Sequence, residues 1–417
     1  MLKIKLVKIC ALLLLMMLLI GPVVGCSLLE TETLAAPVEE LDERLVRANN
    51  SLGFDVFHEL RRAESEGGNI FISPASILTA LAMTYNGAEG ETRAAMEDTL
   101  HLQGMDRDEI NTAFADLLTI LQNPDPEVEL AVANSLWGRE GFKFNEDFLQ
   151  NSREHFNAEI EALDFDDPGA SDQINNWVRE QTREAIKEIV EPPIDPLTVL
   201  FLVNAIYFNG LWSEPFDPGL TSDLPFYLSD GSEITHPLMM QAAEFHYLEN
   251  ELFQAVTLPY GKEGRIGMYI FLPVDDAGAE DFYSELNAET WAQWVNLLWP
   301  REGEVGLPRF GFEYETSLNE TLKTLGMEIA FDEDNADFSA MHPIPPNLYI
   351  SDVKHKSFIE VNEEGTEAAA VTSVEIAVTS APETEPFRVV ADRPFFFAIA
   401  DNMTGTILFM GSVADPR

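Results

Sequence analysis

The chain has 417 residues, of which 46% are hydrophobic and 23% are charged, a balance that is typical of a globular protein with a sizeable core. Its 25 basic and 72 acidic side chains give a formal net charge of −47. This charge argues against nucleic acid, and against a heparin-like polyanion, as a partner, because either one requires a basic surface.

The first 25 residues have the pattern of a secretory signal peptide. Three lysines lie near the start, an apolar run covers residues 11–20, and the tetrad Val23-Val24-Gly25-Cys26 follows. The apolar run is short for a membrane-spanning helix. The tetrad resembles a bacterial lipobox, in which the chain is cut before the cysteine and the thiol is then acylated. A plain signal peptide with a chance cysteine is the alternative.

Lipidation of Cys26 would leave the mature protein outside the cytoplasmic membrane and anchored at its outer surface. Residues 26–44 show little periodicity and are rich in Thr, Ala, Leu and Glu, which predicts a flexible tether. Residues 45–417 are then expected to form the folded domain. The chain contains two cysteines, Cys10 and Cys26, so no disulfide is expected within that domain.

Hydrophobic patterning predicts both helices and strands in the first half of the domain. Ser73 is a candidate helix N-cap, and Pro74 suits the first helical position. The expected helices cover residues 46–62, 77–85, 92–100, 114–121 and 174–190, and the expected strands cover residues 69–72, 128–137 and 199–208.

Strands dominate the second half of the domain. They are expected at residues 226–228, 245–247, 255–258, 266–272, 304–314, 348–360, 394–400 and 406–413, with helices at residues 281–298 and 318–325. No internal repeat of the length found in solenoid proteins is present. No break in composition divides the region, so we predict one α+β domain.

The stretch from Glu363 to Pro386 can be interpreted in two ways. Its small and acidic residues and its terminal prolines favour an exposed loop. From Thr366 to Val378, however, the residues alternate as in a strand, with Glu367 and Glu375 on one face and small, then apolar, side chains on the other. No proline interrupts this run, so each of its amides can join a ladder. The pattern predicts either a segment that is a loop in one state and a strand in another, or an ordinary amphipathic strand.

Motifs for catalysis and for cofactors are absent from the sequence. We find no G-x-S-x-G elbow, no P-loop, no H-E-x-x-H and no glycine-rich dinucleotide turn. The seven histidines are not at metal-ligand spacing to one another, so neither a metal nor a cofactor is expected, and the chain is not expected to be an enzyme. An acidic glycosidase and a lipid-anchored solute-binding protein remain alternatives without positive support.

Seven stretches together resemble the serpins, a family of serine protease inhibitors. They are Asn69 to Ser76; Phe201 to Trp212 with Pro215-Phe216; Leu307 to Phe310; Leu322 to Phe338; Lys354 to Lys356 leading into Glu363 to Ala370; Arg393 to Phe396; and Phe409 to Gly411. The resemblance covers residues 45–417. It implies a serpin fold with three β-sheets and about nine helices, and with an exposed reactive loop that can insert into the large central sheet.

The resemblance also implies an activity and a partner. A target serine protease would attack the loop, and the cleaved loop would insert as a new strand and trap the covalent acyl-enzyme. The inhibitor is expected to be a monomer. A non-inhibitory serpin that acts as a binding or carrier protein is the alternative, although such members usually carry bulky or charged residues, or prolines, in the hinge.

Individual positions take family roles through the same resemblance. The hinge would consist of Glu363, Glu364, Gly365, Thr366, Glu367, Ala368, Ala369 and Ala370. The polar cluster under the sheet, called the shutter, would consist of Ser73, Ser76, Asn204 and His355, and Trp212 would lie at the breach, where the sheet opens. Ordinary core roles for His355 and Trp212 are the alternatives.

The reactive bond can be placed by counting along the loop. In inhibitory relatives it lies about fourteen residues past the hinge glycine, and fourteen residues after Gly365 is Thr379. We therefore predict cleavage at Thr379–Ser380, within one or two positions, with Val378 and Ala381 as the flanking specificity residues. Because these side chains are small, the expected target is an elastase-like or subtilisin-like protease and not a trypsin-like one.

Overall fold

The computed structural model describes residues 41–64, 67–122, 125–274, 276–366 and 385–417. These residues belong to one compact unit. In the ranges that are described, no helix combines the length and the apolar character required to cross a bilayer.

Nine α-helices occur in the described ranges, and side-chain caps account for where several of them begin. Ser73 accepts a hydrogen bond from the Ser76 backbone N–H and is followed by Pro74, as predicted. Asp106 and Glu109 form a capping box. The helices are α1 (Glu43–Ala63), α2 (Pro74–Tyr85), α3 (Gly90–Thr99), α4 (Arg107–Leu121), α5 (Glu146–Phe156), α6 (Ala170–Gln181), α7 (Asp276–Glu285), α8 (Ala288–Leu297) and α9 (Asn319–Leu322).

Several helices differ from their predicted bounds, and the predicted helix 281–298 is two helices, α7 and α8. In two cases the reason is local. Helix α1 begins before residue 45 because Asp42 caps it and Leu41 is buried, so residues 41–44 belong to the fold and not to a tether. Helix α6 ends at Gln181 instead of Val190, since Arg183 and Glu184 adopt positive φ values. Beyond that turn the apolar pattern still packs against the same core cluster.

The strands of the described ranges form two sheets. The first is a nine-stranded sheet in the order β1-β15-β14-β8-β7-β6-β9-β13, with β5 paired to β6. Its strands are β1 (Ile70–Ile72), β5 (Ser222–Tyr227), β6 (Glu233–Glu249), β7 (Phe253–Tyr260), β8 (Ile266–Pro273), β9 (Trp299–Pro308), β13 (Phe387–Val390), β14 (Phe395–Asp401) and β15 (Ile407–Val413).

The second sheet has six strands in the order β10-β11-β12-β4-β2-β3. They are β2 (Val128–Arg139), β3 (Ala158–Leu163), β4 (Leu200–Leu211), β10 (Phe310–Ser317), β11 (Lys354–Val361) and β12 (Gly365–Thr366). We refer to it as the central sheet.

The strand pairing refines two predictions. Three sheets were implied, and the described strands form two, because the long strand β6 pairs with β5, β7 and β9 and so joins them in one ladder. The predicted strand 304–314 is two strands in different sheets. The chain leaves the nine-stranded sheet at Pro308 and enters the central sheet at Phe310, with Arg309 at the corner.

Helix α2 contacts β4 of the central sheet and also β15 of the other sheet. Because α2 is buried along almost its whole length, its N-terminus is held beneath the middle of the central sheet. Helix α6 contacts β2 and β4, where Trp177 meets Trp137 edge to face. The core therefore fixes Ser73 and Ser76 close to the strands that border β12.

Candidate functional site

The hinge segment enters the central sheet as a two-residue strand. In β12, Thr366 pairs with Val361 of β11 and with Gly210 of β4, and Gly365 pairs with Leu211. Strand β12 is antiparallel to both neighbours. Strands β4 and β11 are thus joined through the hinge at this end of the sheet.

Gly365 occupies a position that excludes other residues. Its φ is +152°, and a Cβ there would lie 2.0 Å from the Gly210 carbonyl oxygen. Backbone atoms cannot yield as a flexible side chain does, so a side chain would force the two strands apart. The predicted hinge glycine is therefore a point of close backbone approach.

Thr366 points into the protein. It is 3% exposed, and its hydroxyl lies 2.7 Å from the hydroxyl of Tyr260. Burial raises the pKa of the Tyr260 phenol, and the hydrogen bond with Thr366 opposes this only in part. The protonated phenol therefore gives the small hinge side chain a buried polar partner, on the face of the alternating pattern that carries no glutamate.

Trp212 lies beside the hinge. Its indole N–H donates to the Asn362 carbonyl oxygen at 2.9 Å, and its backbone N–H donates to the Glu364 carbonyl oxygen at 2.9 Å. Its ring stacks on Tyr260 with a centroid distance of 4.3 Å. The tryptophan thus holds the backbone that leads into β12.

Glu363 is buried next to an arginine and a threonine. Its Oε1 accepts hydrogen bonds from Thr221 Oγ1 at 2.6 Å and from Arg309 Nε at 2.9 Å. Burial alone would raise the pKa of this carboxyl, but the bonds from Arg309 and Thr221 outweigh it and hold the pKa below its usual value. The carboxylate therefore remains ionised and ties the hinge to the corner between β9 and β10.

The four predicted shutter residues form one hydrogen-bonded cluster. The Ser73 backbone N–H donates to His355 Nε2 at 3.2 Å, and the Ser73 hydroxyl donates to the Leu408 carbonyl oxygen at 2.7 Å. The Ser76 hydroxyl donates to Asn204 Oδ1. Asn204 in turn donates to Asn134 Oδ1. The cluster connects α2 to β2, β4 and β11.

His355 is neutral in this cluster. The residue is 5% exposed, and desolvation lowers its pKa to about 4. Since Nε2 accepts the Ser73 N–H, the proton of the neutral ring lies on Nδ1. Protonation of Nε2 would remove this acceptor.

Four residues of the site were not singled out by the sequence. Arg309 lies within the Leu307–Phe310 stretch that resembles the family, but that stretch did not predict its contact with Glu363. Thr221, Tyr260 and Asn134 carry no motif that identifies them. Strand pairing brings Asn134 opposite Asn204 and Tyr260 opposite Trp212, and Thr221 reaches the site through its hydrogen bond to Glu363.

The chain after the loop returns in the other sheet. Glu385 leads into β13, which is parallel to β9, and Phe387 stacks on Tyr247 with a centroid distance of 3.9 Å. The segment between Thr366 and Glu385 therefore starts from the central sheet and ends at the edge of the nine-stranded sheet.

Several predicted residues lie outside the described residues. They are Cys26 and the loop positions Glu367, Ala368, Ala369, Ala370, Val378, Thr379, Ser380 and Ala381. Across the part of the chain that is described, no cluster of His, Cys, Asp and Glu has an arrangement suited to a metal ion.

Comparison with known proteins agrees with this geometry. Residues 47–416 match the serpin (serine protease inhibitor) family. The leukocyte elastase inhibitor of Equus caballus is 36% identical over 386 residues, which are 90% of this chain and 100% of that protein.

Solved structures extend the likeness to the fold. The thermophilic serpin tengpin, in its native state, has a TM-score of 0.81 and 33% sequence identity, over 91% of this chain and 97% of that chain. Human thyroxine-binding globulin has a TM-score of 0.80 and 28% identity, over 91% of this chain and 100% of that chain. With the family match across residues 47–416, these findings show that the chain belongs to the serpin family.

Proposed function

We propose that this protein is a suicide-substrate inhibitor of serine proteases. The observation that carries the proposal is β12, in which Gly365 and Thr366 already pair with both β4 and β11. A loop that continues this strand after cleavage gains ladder hydrogen bonds on both sides. Each such bond contributes about 0.5–1.5 kcal/mol net.

The register of β12 defines the path of the inserting strand. Continued two residues at a time, it brings Ala368 opposite Phe208 and Ile359. The same register brings Thr372 opposite Asn204 and His355. Insertion would therefore pass through the shutter cluster, whose hydrogen bonds must rearrange to admit it.

The side chains that would face the core suit this path. Ala368, Ala370 and Thr372 are small enough to pass between existing strands, and Val374, Ile376 and Val378 follow them. Burial of each of these three apolar side chains contributes about 1.5–3 kcal/mol. The gain is available only after cleavage has freed one end of the loop, so the starting fold is held kinetically.

The reaction begins as ordinary proteolysis. The serine Oγ of the protease attacks the Thr379 carbonyl carbon, the bond to the Ser380 nitrogen breaks, and Ser380 leaves as a free amine. Thr379 remains as an ester on the protease. Insertion would then carry that ester away from its position of attack before water can hydrolyse it. Small residues around the bond favour an elastase-like or subtilisin-like protease.

The fold does not decide between an inhibitor and the non-inhibitory alternative. Human thyroxine-binding globulin, a protein named for the ligand that it binds, has a TM-score of 0.80 to this chain. The composition of the hinge supports inhibition, since the buried Thr366 is followed on the same face by Ala368 and Ala370, while Glu367 lies on the opposite face. A bulky or charged residue there would oppose insertion.

The test is incubation with pancreatic elastase and with subtilisin, analysed by denaturing gel and by intact mass. We expect a heat-stable adduct and a released peptide that begins at Ser380. Clean cleavage with full protease activity afterwards would instead support the binding or carrier function.

We also infer that Cys26 is acylated and that the lipid anchors the protein at the outer face of the cytoplasmic membrane. The support is the sequence pattern that ends at Cys26. Cys26→Ser should move the protein from the membrane fraction to the soluble fraction. If the variant stays in the membrane fraction without acyl mass, the anchor is a different one.

A further inference from the structure

The corner where the loop returns to the body carries an exposed apolar pair and an arginine. Leu297 ends α8 and is 59% exposed, and Trp299 begins β9 and is 53% exposed. Exposed large apolar side chains that stand close together commonly mark an interaction surface. The arginine is Arg301, two residues after Trp299 in the same strand. We call Leu297, Trp299 and Arg301 the return corner.

The guanidinium of Arg301 is held by aromatic rings. Its Cζ lies 5.1 Å from the centroid of Tyr247, 5.6 Å from that of Trp299 and 5.9 Å from that of Phe387. Its Nη2 donates to the Glu385 carbonyl oxygen at 3.4 Å. Among the described residues no carboxylate lies within ion-pair distance of it, although the chain has a large excess of acid. The cation is therefore pre-positioned and retains donors for an external acceptor.

The length of the loop limits where a bound protease can lie. From Ser380 to Glu385 the chain advances five residues, which span at most about 18 Å. A folded protease of roughly 230 residues has a diameter of about 45 Å. A protease that holds the bond Thr379–Ser380 is therefore within reach of the return corner, whose Arg301 contacts Glu385.

We propose that the return corner is a second docking surface for the target protease, apart from the reactive bond. This inference rests on the proposed inhibitory function. Trp299 and Leu297 would contact an apolar area at the rim of the protease active site, and Arg301 would donate to a carbonyl or carboxylate oxygen beside it. The surface would add to affinity and association rate without changing the chemistry at the bond.

The test uses a protease whose nucleophilic serine is replaced by alanine, so that it docks but cannot acylate. Its Kd for the purified protein is measured for wild type, Trp299→Ala and Leu297→Ala, with elastase and with subtilisin. The control is Leu197→Ala, because Leu197 is 75% exposed and precedes β4, at the end of that strand opposite to the hinge. We expect roughly tenfold weaker binding for Trp299→Ala and a change of less than about twofold for the control.

Active protease separates this inference from the proposed function. Trp299→Ala should lower the second-order rate of adduct formation by the same factor and leave the stoichiometry of inhibition unchanged. If wild type docks but forms no adduct, the inhibitory function fails while the docking surface stands. The docking surface is overturned if Trp299→Ala binds both inactive proteases as tightly as wild type, or if wild type binds neither.

Discussion

Arg309 donates its Nε–H to Glu363 Oε1 at 2.9 Å, and this bond joins the hinge to the corner where the chain passes from one sheet to the other. The carboxylate side chain is 6% exposed and the guanidinium side chain is 47% exposed. The hinge is therefore anchored by a buried acid whose charge is compensated from the surface.

Glu363→Gln tests this anchor. The amide keeps the shape of the side chain but removes the charge that Arg309 and Thr221 satisfy, so we expect a loss of about 1–3 kcal/mol in the free energy of unfolding. Equilibrium denaturation in urea measures it. The matched control is Glu304→Gln, because the ion pair of Glu304 with Arg388 is exposed on both sides and should contribute less than about 1 kcal/mol. Equal effects for the two variants would mean that burial of Glu363 adds nothing.

The buried histidine predicts a dependence of stability on pH. Desolvation lowers the pKa of folded His355 to about 4, below its unfolded value of about 6.5. In the window between these values the unfolded chain binds more protons than the folded chain, so stability falls as the pH drops from about 6.5 toward 4. The contribution is about 3 kcal/mol across this window.

The pH prediction is checked by denaturation at several pH values for wild type and for His355→Gln. We expect the variant to be less stable at pH 7 and to lose stability less steeply on acidification. Parallel pH curves for the two proteins would show that another group is responsible.

Thr366→Arg should convert the inhibitor into a substrate. The side chain faces the buried phenol of Tyr260, and a guanidinium at that place would be buried without a partner during insertion. We expect cleavage at the reactive bond with little stable adduct, which is measured as the stoichiometry of inhibition. Thr366→Ser keeps the hydroxyl and should trap protease nearly as well as wild type. Adduct formation by Thr366→Arg at the wild-type level would contradict insertion at the hinge.

Gly365→Ala should be more costly than an ordinary glycine substitution at positive φ. Its Cβ would lie 2.0 Å from the Gly210 carbonyl oxygen, whereas Gly231 also has a positive φ but has nothing within 4 Å of a built Cβ. We expect a loss of about 1 kcal/mol for Gly231→Ala from backbone strain and a loss of about 2–4 kcal/mol for Gly365→Ala. Thermal unfolding of both variants measures the difference, and equal shifts would exclude a close approach of the strands.

Local chemistry explains why much of the site was visible in the sequence. Ser73 and Pro74 start α2 as predicted because capping depends on neighbours a few residues away. Thr366 faces the core because alternation in a strand assigns each residue to a face. The positions of Ser73, Ser76, Asn204 and His355 came from family resemblance, and the structure brings them into contact.

Other features depend on contacts between distant parts of the chain. Apolar residues occupy positions 305 and 307 and then 310, 312 and 314, so the alternation changes phase at Arg309. That change marks a break in the strand, but it does not record that the two halves join different sheets. Helix α6 ends earlier than its periodicity indicated, because Arg183 and Glu184 adopt positive φ values. The residues after that turn keep the apolar spacing while they pack as irregular chain, so the pattern did not mark the end.

The sequence by itself determined that this is an α+β domain of the serpin type with a small, proline-free hinge, because composition, alternation and motif order are local properties. Only the tertiary structure decided which residues hold that hinge. Glu363 meets Arg309 across 54 residues and Thr221 across 142, and such partners are chosen by the register of paired strands and the packing of the core, which no local pattern records.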